Sequence, residues 1–232
     1  MNTLGTKKQV KKIKSIGVKA DSNQIGVKPV FDSNAQLGLL FANESYQPED
    51  ERQKELEGYL YDENLSSKRE AVYHNPKINE TYISQRGTKP SDLNDLWQDA
   101  QIVTGLFGQG TGYYNSDRVY KGEKTIQKVK DKYNDSHLKL TGHSLGAATS
   151  YELGKKYNLD TYNFNRGVGL AAPFQDRKCG KPNQPEWCEK IRNFRINYDP
   201  LSFLGKYQYN TSNIENSKIG ILEKHKLSSF FN

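Results

Sequence analysis

The sequence lacks any long apolar run: only 34% of its 232 residues are hydrophobic, and the mean hydropathy is −0.89. A transmembrane helix needs about 20 consecutive, mostly apolar residues, so no such helix is predicted. The basic N-terminus is not followed by an apolar stretch of the kind that a secretory signal requires. We therefore expect the protein in the cytoplasm or, if it is viral, in the virion.

Cysteine is scarce as well. Cys179 and Cys188 are the two cysteines of the chain, and they lie in a stretch rich in Pro, Gly and Lys. A local disulfide and a pair of reduced intracellular thiols fit this spacing equally well. Because no metal-ligand spacing accompanies them, no metal is predicted.

Positive charge is concentrated at the start of the chain. The formal net charge is +7, and before residue 32 a single acidic residue, Asp21, accompanies seven lysines: Lys7, Lys8, Lys11, Lys12, Lys14, Lys19 and Lys28. Residues 1–34 are predicted to form a basic, disordered arm ahead of one domain over 35–232. Such an arm attracts anionic membrane surfaces or nucleic acid by charge alone, and a solvated tail without a fixed partner is the alternative.

Predicted strands and helices alternate along the rest of the chain. Strands are expected at 71–73, 81–83, 137–141, 161–165 and 191–197. Helices are expected at 49–60, 91–103, 117–133 and 145–157, with a last helical piece from residue 224. This order predicts an α/β fold with a largely parallel central sheet flanked by helices.

The pattern G-x-S-x-G lies between a predicted strand and a predicted helix. A serine hydroxyl is a weak nucleophile and must stand clear of the sheet, so the turn that presents it is sharp. Gly142 and Gly146 remove the side chains that would clash at this turn, and His143 lies directly beside the serine. We interpret these residues as a nucleophile elbow with Ser144 as the nucleophile, rather than as a glycine-rich turn with an N-capping serine.

A nucleophilic serine needs a general base and an orienting acid, which follow it along the chain in hydrolases with this elbow. His225 is the one histidine of four that follows Ser144, so it is the predicted base. Asp199 follows a strand-like run and should lie at the same sheet edge as Ser144, where it would hold the imidazole in the correct tautomer. Asp176 is the alternative acid, whereas Asp160 precedes a strand and belongs to the opposite edge.

An acyl-transfer site also needs donors for the oxyanion. The backbone N–H of Leu145 is one candidate, and Thr88, which follows the strand near residue 83, is the other. The glycine-rich stretch 105–114 is a candidate flap, or else an ordinary loop with its aromatic rings folded inward. The residues of this stretch that would act as a lid or contact an acyl chain are Leu106, Phe107, Tyr113 and Tyr114.

Four segments in chain order resemble the motifs of the class 3 (fungal-type) lipase family: Arg86-Gly87-Thr88, the run from Thr141 to Gly146, Asp199-Pro200-Leu201 and His225-Lys226-Leu227. They are similar to that family's R-G-[ST], T-G-H-S-L-G, D-P and H-x-L segments. The sequence departs from the family where F-G-x-P-R is expected, because it has Phe164-Asn165-Arg166-Gly167. The resemblance implies an α/β-hydrolase fold, no cofactor and a lid after the oxyanion loop.

Together these features predict a serine hydrolase that cleaves carboxylic esters of lipids through an acyl-enzyme, as a lipase, phospholipase or esterase. The expected partner is a lipid or other ester substrate, with peripheral contact to an anionic membrane surface. No metal or other cofactor is expected, and the oligomeric state is not predicted. The alternative is a catalytically silent protein of hydrolase fold that its basic arm tethers to nucleic acid or a membrane.

Overall fold

The computed structural model describes residues 31–88, 117–167, 178–200, 202, 209–215, 220 and 224–231 of the 232. The helices are α1 (Ser33–Glu44), α2 (Asp117–Lys132), α3 (Leu145–Tyr157) and α4 (Trp187–Lys190), with 3₁₀ helices at Glu49–Glu51 and Leu227–Phe230. The strands are β1 (Glu55–Leu56), β2 (Tyr59–Tyr61), β3 (Glu70–Asn75), β4 (Glu80–Gln85), β5 (His137–His143), β6 (Asp160–Phe164), β7 (Ile191–Ile196) and β8 (Thr211–Ile214). The predicted helix at 91–103 lies outside the described residues.

Within these ranges the strands form one eight-stranded sheet whose spatial order follows the chain order. β1 to β4 pair as antiparallel neighbours. From β4 to β8 every pair is parallel. The predicted α/β class with a largely parallel sheet is therefore confirmed.

Two hydrophobic cores cover the two faces of the sheet. On one face α1 and the last 3₁₀ helix pack over an aromatic core that includes Phe41, Tyr82 and Phe164. On the other face α2 and α3 pack over an aliphatic core that includes Ile83 and Leu140. The three-layer arrangement follows from the alternation of side chains along each strand. None of the helices in the described ranges is long and apolar enough to cross a membrane.

The first helix begins earlier than the predicted domain boundary at residue 35. Asp32 caps α1 by accepting a hydrogen bond from the Ala35 N–H at 2.8 Å, as an N-terminal carboxylate is suited to do. Phe31 is buried among the rings of the aromatic core. The folded domain therefore includes residues 31–34, which the sequence assigned to the basic arm, while residues 1–30 lie outside the described ranges.

The acidic stretch 49–60 forms a short 3₁₀ helix and the β1–β2 hairpin, so the prediction of a helix there is wrong. Glu57 and Gly58 have φ values of 53° and 82° and make the hairpin turn. Such a left-handed pair matches the twist of a tight hairpin. The burial of Leu56 and Tyr59 against the sheet overrides the helical propensity of the acidic side chains.

The two cysteines are joined. Cys179 and Cys188 form a disulfide, so of the two readings left open by the sequence the structure has the bonded one. Cys188 is buried in α4, whose Trp187 ring meets the Tyr151 ring of α3 edge-on at 6.4 Å. The disulfide thus ties the loop at 178–186 to the helical layer.

Candidate active site

Ser144 stands at the sharp turn between β5 and α3. Its backbone has φ 57° and ψ −124°, a strained conformation for a residue other than glycine. Two backbone hydrogen bonds hold this conformation: the Ser144 N–H donates to Phe164 O at 3.1 Å, and the Ala148 N–H donates to Ser144 O at 3.1 Å. The strain is therefore fixed by β6 on one side and by the first turn of α3 on the other.

The glycines of the elbow lie where no side chain fits. A Cβ on Gly146 would lie 2.0 Å from the carbonyl oxygen of Gln85, and one on Gly142 would lie 2.6 Å from the carbonyl carbon of Gly146. Both neighbours are backbone atoms, which cannot move aside as a flexible side chain can. The pattern G-x-S-x-G thus lets the start of α3 approach the ends of β4 and β5.

Ser144, His225 and Asp199 are connected by hydrogen bonds. His225 Nε2 lies 2.8 Å from Ser144 Oγ, and His225 Nδ1 lies 3.0 Å from each oxygen of the Asp199 carboxylate. A carboxylate only accepts hydrogen bonds, so Nδ1 carries the proton and Nε2 is free to accept one from the serine hydroxyl. The structure therefore brings together the three residues that the sequence predicts as nucleophile, base and acid.

Asp199 lies at the carboxyl end of β7 and is completely buried. The Ser202 hydroxyl donates a hydrogen bond to its Oδ2. The Arg195 Nε donates to the Ser202 carbonyl at 2.7 Å. Burial lowers the pKa of the Arg195 guanidinium, and the Asp199 carboxylate opposes that shift. A buried carboxylate needs such donors, and Ser202 was not identified from the sequence.

Asn165 holds the segment that carries His225. Its side-chain Nδ2 donates to the Lys224 carbonyl at 2.8 Å, and its Oδ1 accepts from the Ile196 N–H at 2.8 Å. Asn165 has a φ of 42°, a conformation that asparagine tolerates better than most residues. It lies where the class 3 motif has glycine, and its side chain makes the two hydrogen bonds that hold the segment before His225.

His143 links three parts of the site. Its Nε2 donates to the His225 carbonyl at 2.7 Å, so its Nδ1 accepts the hydrogen bond that the Tyr46 hydroxyl donates at 2.8 Å. The Tyr46 hydroxyl in turn accepts from the Gly87 N–H. Burial, together with the neighbouring His225, lowers the pKa of His143 to about 3, and burial raises the pKa of Tyr46.

The segment after β4 lies against the nucleophile. A Cβ on Gly87 would lie 2.6 Å from His143 O and 3.0 Å from the Ser144 Cβ. Arg118 of α2 donates to the Arg86 carbonyl at 2.9 Å and so fixes the other side of this segment. Thr88 follows directly, and Leu145 begins α3 beside Ser144.

The other candidates fall elsewhere. Asp160 begins β6, with its Oδ2 at 3.1 Å from His137 Nε2 at the opposite edge of the sheet. The alternative acid Asp176 lies outside the described residues, as do the four flap residues Leu106, Phe107, Tyr113 and Tyr114. Among the residues that are described, no group of three or more His, Cys, Asp or Glu side chains could hold a metal ion.

Part of the chain matches a known family, and the fold matches known structures. Residues 77–157 match the family Lipase (class 3). ATG15 of Candida glabrata, provisionally named a lipase, is 34% identical over 90 residues, which are 38% of this chain and 18% of that protein. The alignment thus spans less than a fifth of the length of this curated relative.

Two solved structures have a similar fold. The Lip2 lipase of Yarrowia lipolytica superimposes with a TM-score of 0.50 at 15% identity, over 78% of each chain. A mutant form of MDLA from Penicillium cyclopium gives a TM-score of 0.54 at 14% identity, over 86% of this chain and 96% of that one. At such identities the likeness shows the fold alone. The matched segment spans β4, β5, the elbow and α3, so this part of the chain is similar to the class 3 lipase family.

Proposed function

We propose that this protein is a serine hydrolase that cleaves carboxylic esters of lipids, with Ser144 as nucleophile, His225 as general base and Asp199 as orienting acid. The observation that carries the proposal is the hydrogen-bonded series from the Asp199 carboxylate through His225 to Ser144 Oγ, with distances of 3.0 Å and 2.8 Å. These lengths lie within the reach that proton transfer between a base and a nucleophile requires.

In the first half of the reaction, Ser144 Oγ attacks the ester carbonyl carbon while His225 Nε2 takes the hydroxyl proton. The buried Asp199 carboxylate stabilises the imidazolium that forms. When the tetrahedral intermediate collapses, the C–O bond to the alcohol breaks and Nε2 returns the proton to the leaving oxygen. Ser144 then carries the acyl group as an ester.

In the second half, water takes the place of the alcohol. His225 Nε2 accepts a proton from the water as its oxygen attacks the acyl carbon, and the proton passes to Ser144 Oγ as the carboxylic acid leaves. At the end of the cycle Ser144 and His225 have regained their starting protonation states.

The developing oxyanion would be held by the Leu145 N–H and by Thr88. Removing one such donor typically costs about 3 kcal/mol of transition-state stabilisation. The close approach of Gly87 to Ser144 and to His143 O supports this assignment, because Gly87 directly precedes Thr88 in the chain.

The family and the curated relative support a lipid ester as the substrate class. The family is named for lipase activity, and ATG15 is provisionally named a lipase. Because the alignment covers only 18% of that relative, the activity and substrate of this chain are part of the proposal.

The test compares the native protein with Ser144→Ala on p-nitrophenyl esters of short and long acyl chains. Loss of the nucleophile should lower kcat by roughly 10⁴-fold or more. A fluorophosphonate probe should transfer its phosphonyl group to Ser144 Oγ in the native protein, with loss of HF, and should label no residue in the variant. A preference for the long ester would favour a lipase over an esterase.

Ser150→Ala is the matched control. Ser150 lies in α3 and donates to the Thr141 carbonyl at 2.7 Å, so this variant loses a serine hydroxyl without touching the proposed nucleophile. We expect it to keep labelling by the probe. Equal inactivity of the native protein and both variants, with no labelling, would contradict the proposal and leave a silent hydrolase-fold protein.

A further inference from the structure

Tyr198 and Lys224 form a pair beside the proposed catalytic residues. Each directly precedes one of them in the chain, Tyr198 before Asp199 and Lys224 before His225. Adjacent Cα atoms are about 3.8 Å apart, so both backbones are fixed next to the triad. Their side chains also meet, with Lys224 Nζ at 4.9 Å from the centroid of the Tyr198 ring.

Packing in the core does not explain the position of the Tyr198 ring. The side chain is 70% exposed, so it contributes little to either core. Its φ is 63°, a left-handed conformation that is unfavourable for a bulky side chain and that glycine or asparagine would adopt more easily. Strain of this kind tends to occur at functional sites.

Lys224 is a buried cation without an acidic partner in the described part of the chain. It is 8% exposed, and its ammonium contacts the face of the Tyr198 ring rather than a carboxylate. A lysine buried to this extent is ordinarily paired. The ring supplies a partial counter-charge through its quadrupole, which leaves the ammonium able to bind an anion.

We propose that Lys224 and Tyr198 form a subsite for the phosphate of a glycerophospholipid headgroup, next to the ester bond that Ser144 attacks. The ammonium would pair with a phosphate oxygen as a point charge. The tyrosine ring would lie at headgroup depth, where amphipathic aromatic side chains are favoured. The proposal rests on the proposed function, and it names the substrate class of that same site.

The test measures kcat/KM on phosphatidylglycerol and on diacylglycerol with the same acyl chains, each in mixed micelles of a neutral detergent. Diacylglycerol offers the same ester bonds without the phosphate. For Lys224→Met we expect the ratio of the two kcat/KM values to fall about tenfold, the loss of one charge-assisted contact. Lys224→Arg should restore most of the ratio, and added salt should lower it in the native protein.

Lys124→Met is the matched control. Lys124 Nζ lies 4.4 Å from the ring centroid of Tyr120, which is 56% exposed on the solvent face of α2. It is therefore a second lysine on an exposed tyrosine ring, outside the proposed site. This variant should keep the native ratio.

Three outcomes would overturn the subsite. One is that Lys224→Met leaves kcat/KM unchanged on both lipids; another is an equal loss on both lipids, which would mean that Lys224 only supports the fold around His225. The third concerns inorganic phosphate as an inhibitor of p-nitrophenyl ester hydrolysis. If this inhibition requires Lys224 but the ratio of the two lipid kcat/KM values does not, the site binds free phosphate rather than a lipid headgroup. Failure of the proposed function is distinct: the native protein would hydrolyse neither lipid nor the p-nitrophenyl ester.

Discussion

At the scale of single residues, His143 lies beside the proposed base and connects parts of the site. Its two ring nitrogens are both engaged, one with the Tyr46 hydroxyl and the other with the His225 carbonyl. With its pKa lowered to about 3, it stays a neutral connector at the pH values where His225 would exchange protons with Ser144.

The lowered pKa of His143 predicts a loss of stability in mild acid. In the unfolded chain a histidine gains its proton below a pH of about 6.5, whereas folded His143 does not until about pH 3. The unfolded state therefore binds more protons between these values, and folding weakens as pH falls through this window. The cost from this one residue should reach about 2 kcal/mol at pH 5 relative to pH 8.

Urea unfolding at pH 8 and pH 5 measures this effect, with His143→Gln for comparison. Glutamine can donate to the His225 carbonyl but does not titrate. The free energy of unfolding of the variant should fall by about 2 kcal/mol less than that of the native protein between the two pH values. If the free energy of unfolding fell equally in both proteins, folded His143 would gain its proton at the same pH as in the unfolded chain, which would contradict the prediction.

The three residues of the proposed triad could be predicted from the sequence, but the residues that support them could not. Ser144 was marked by its elbow, His225 by chain order and Asp199 by the end of a strand. Tyr46 and Asn165 contribute through hydrogen bonds to partners 97 and 59 residues away in the chain. No local pattern encodes contacts of that range, because they exist only once the sheet has brought the segments together.

At the scale of elements, the packing of α3 against the end of β4 depends on a missing side chain. Gly146→Ala would place a Cβ 2.0 Å from the Gln85 carbonyl oxygen, so the helix or the strand must shift. We expect a loss of about 2–3 kcal/mol in the free energy of unfolding. Activity should fall as well, because Ser144 moves with the start of the helix.

Gly220→Ala is the control for this substitution, because a Cβ there meets nothing within 4 Å. Its unfolding midpoint in urea should match that of the native protein. If Gly146→Ala also unfolded at the native midpoint, the close approach of α3 to β4 would not constrain the fold.

The helix that follows the elbow was predictable, and the segment decided by a turn was not. Helix α3 was placed from residue 145 to 157, the bounds that the structure has. The stretch 49–60 was predicted as a helix because its acidic residues favour one, yet the Glu57-Gly58 turn makes it a hairpin. Helical propensity is a weak preference that burial against a sheet readily overrides.

At the scale of the whole molecule, the disulfide secures a loop that has little core of its own. Cys179 and Cys188 are nine positions apart. In the chain-entropy description, a loop of this size stabilises the folded state by about 2–3 kcal/mol. A double Cys179→Ala, Cys188→Ala variant should lose this amount in urea unfolding.

Reduction provides the internal control. Dithiothreitol should move the unfolding midpoint of the native protein towards that of the double variant and leave the variant unchanged. A double variant as stable as the oxidised native protein would mean that the bond does not stabilise the fold. Structural disulfides are typical of oxidising compartments, so a large effect would count against the cytoplasmic or virion location expected from the sequence.

The order of the strands has a consequence for the timing of maturation. Because each strand from β1 to β8 lies beside its predecessor in the chain, a growing sheet can add strands in the order in which they leave the ribosome. The proposed nucleophile after β5 is thereby positioned before the proposed acid after β7, and His225 docks later, 81 residues behind Ser144. If the proposed function is right, the nascent chain would carry an inert Ser144 until the segment with His225 closes over the sheet.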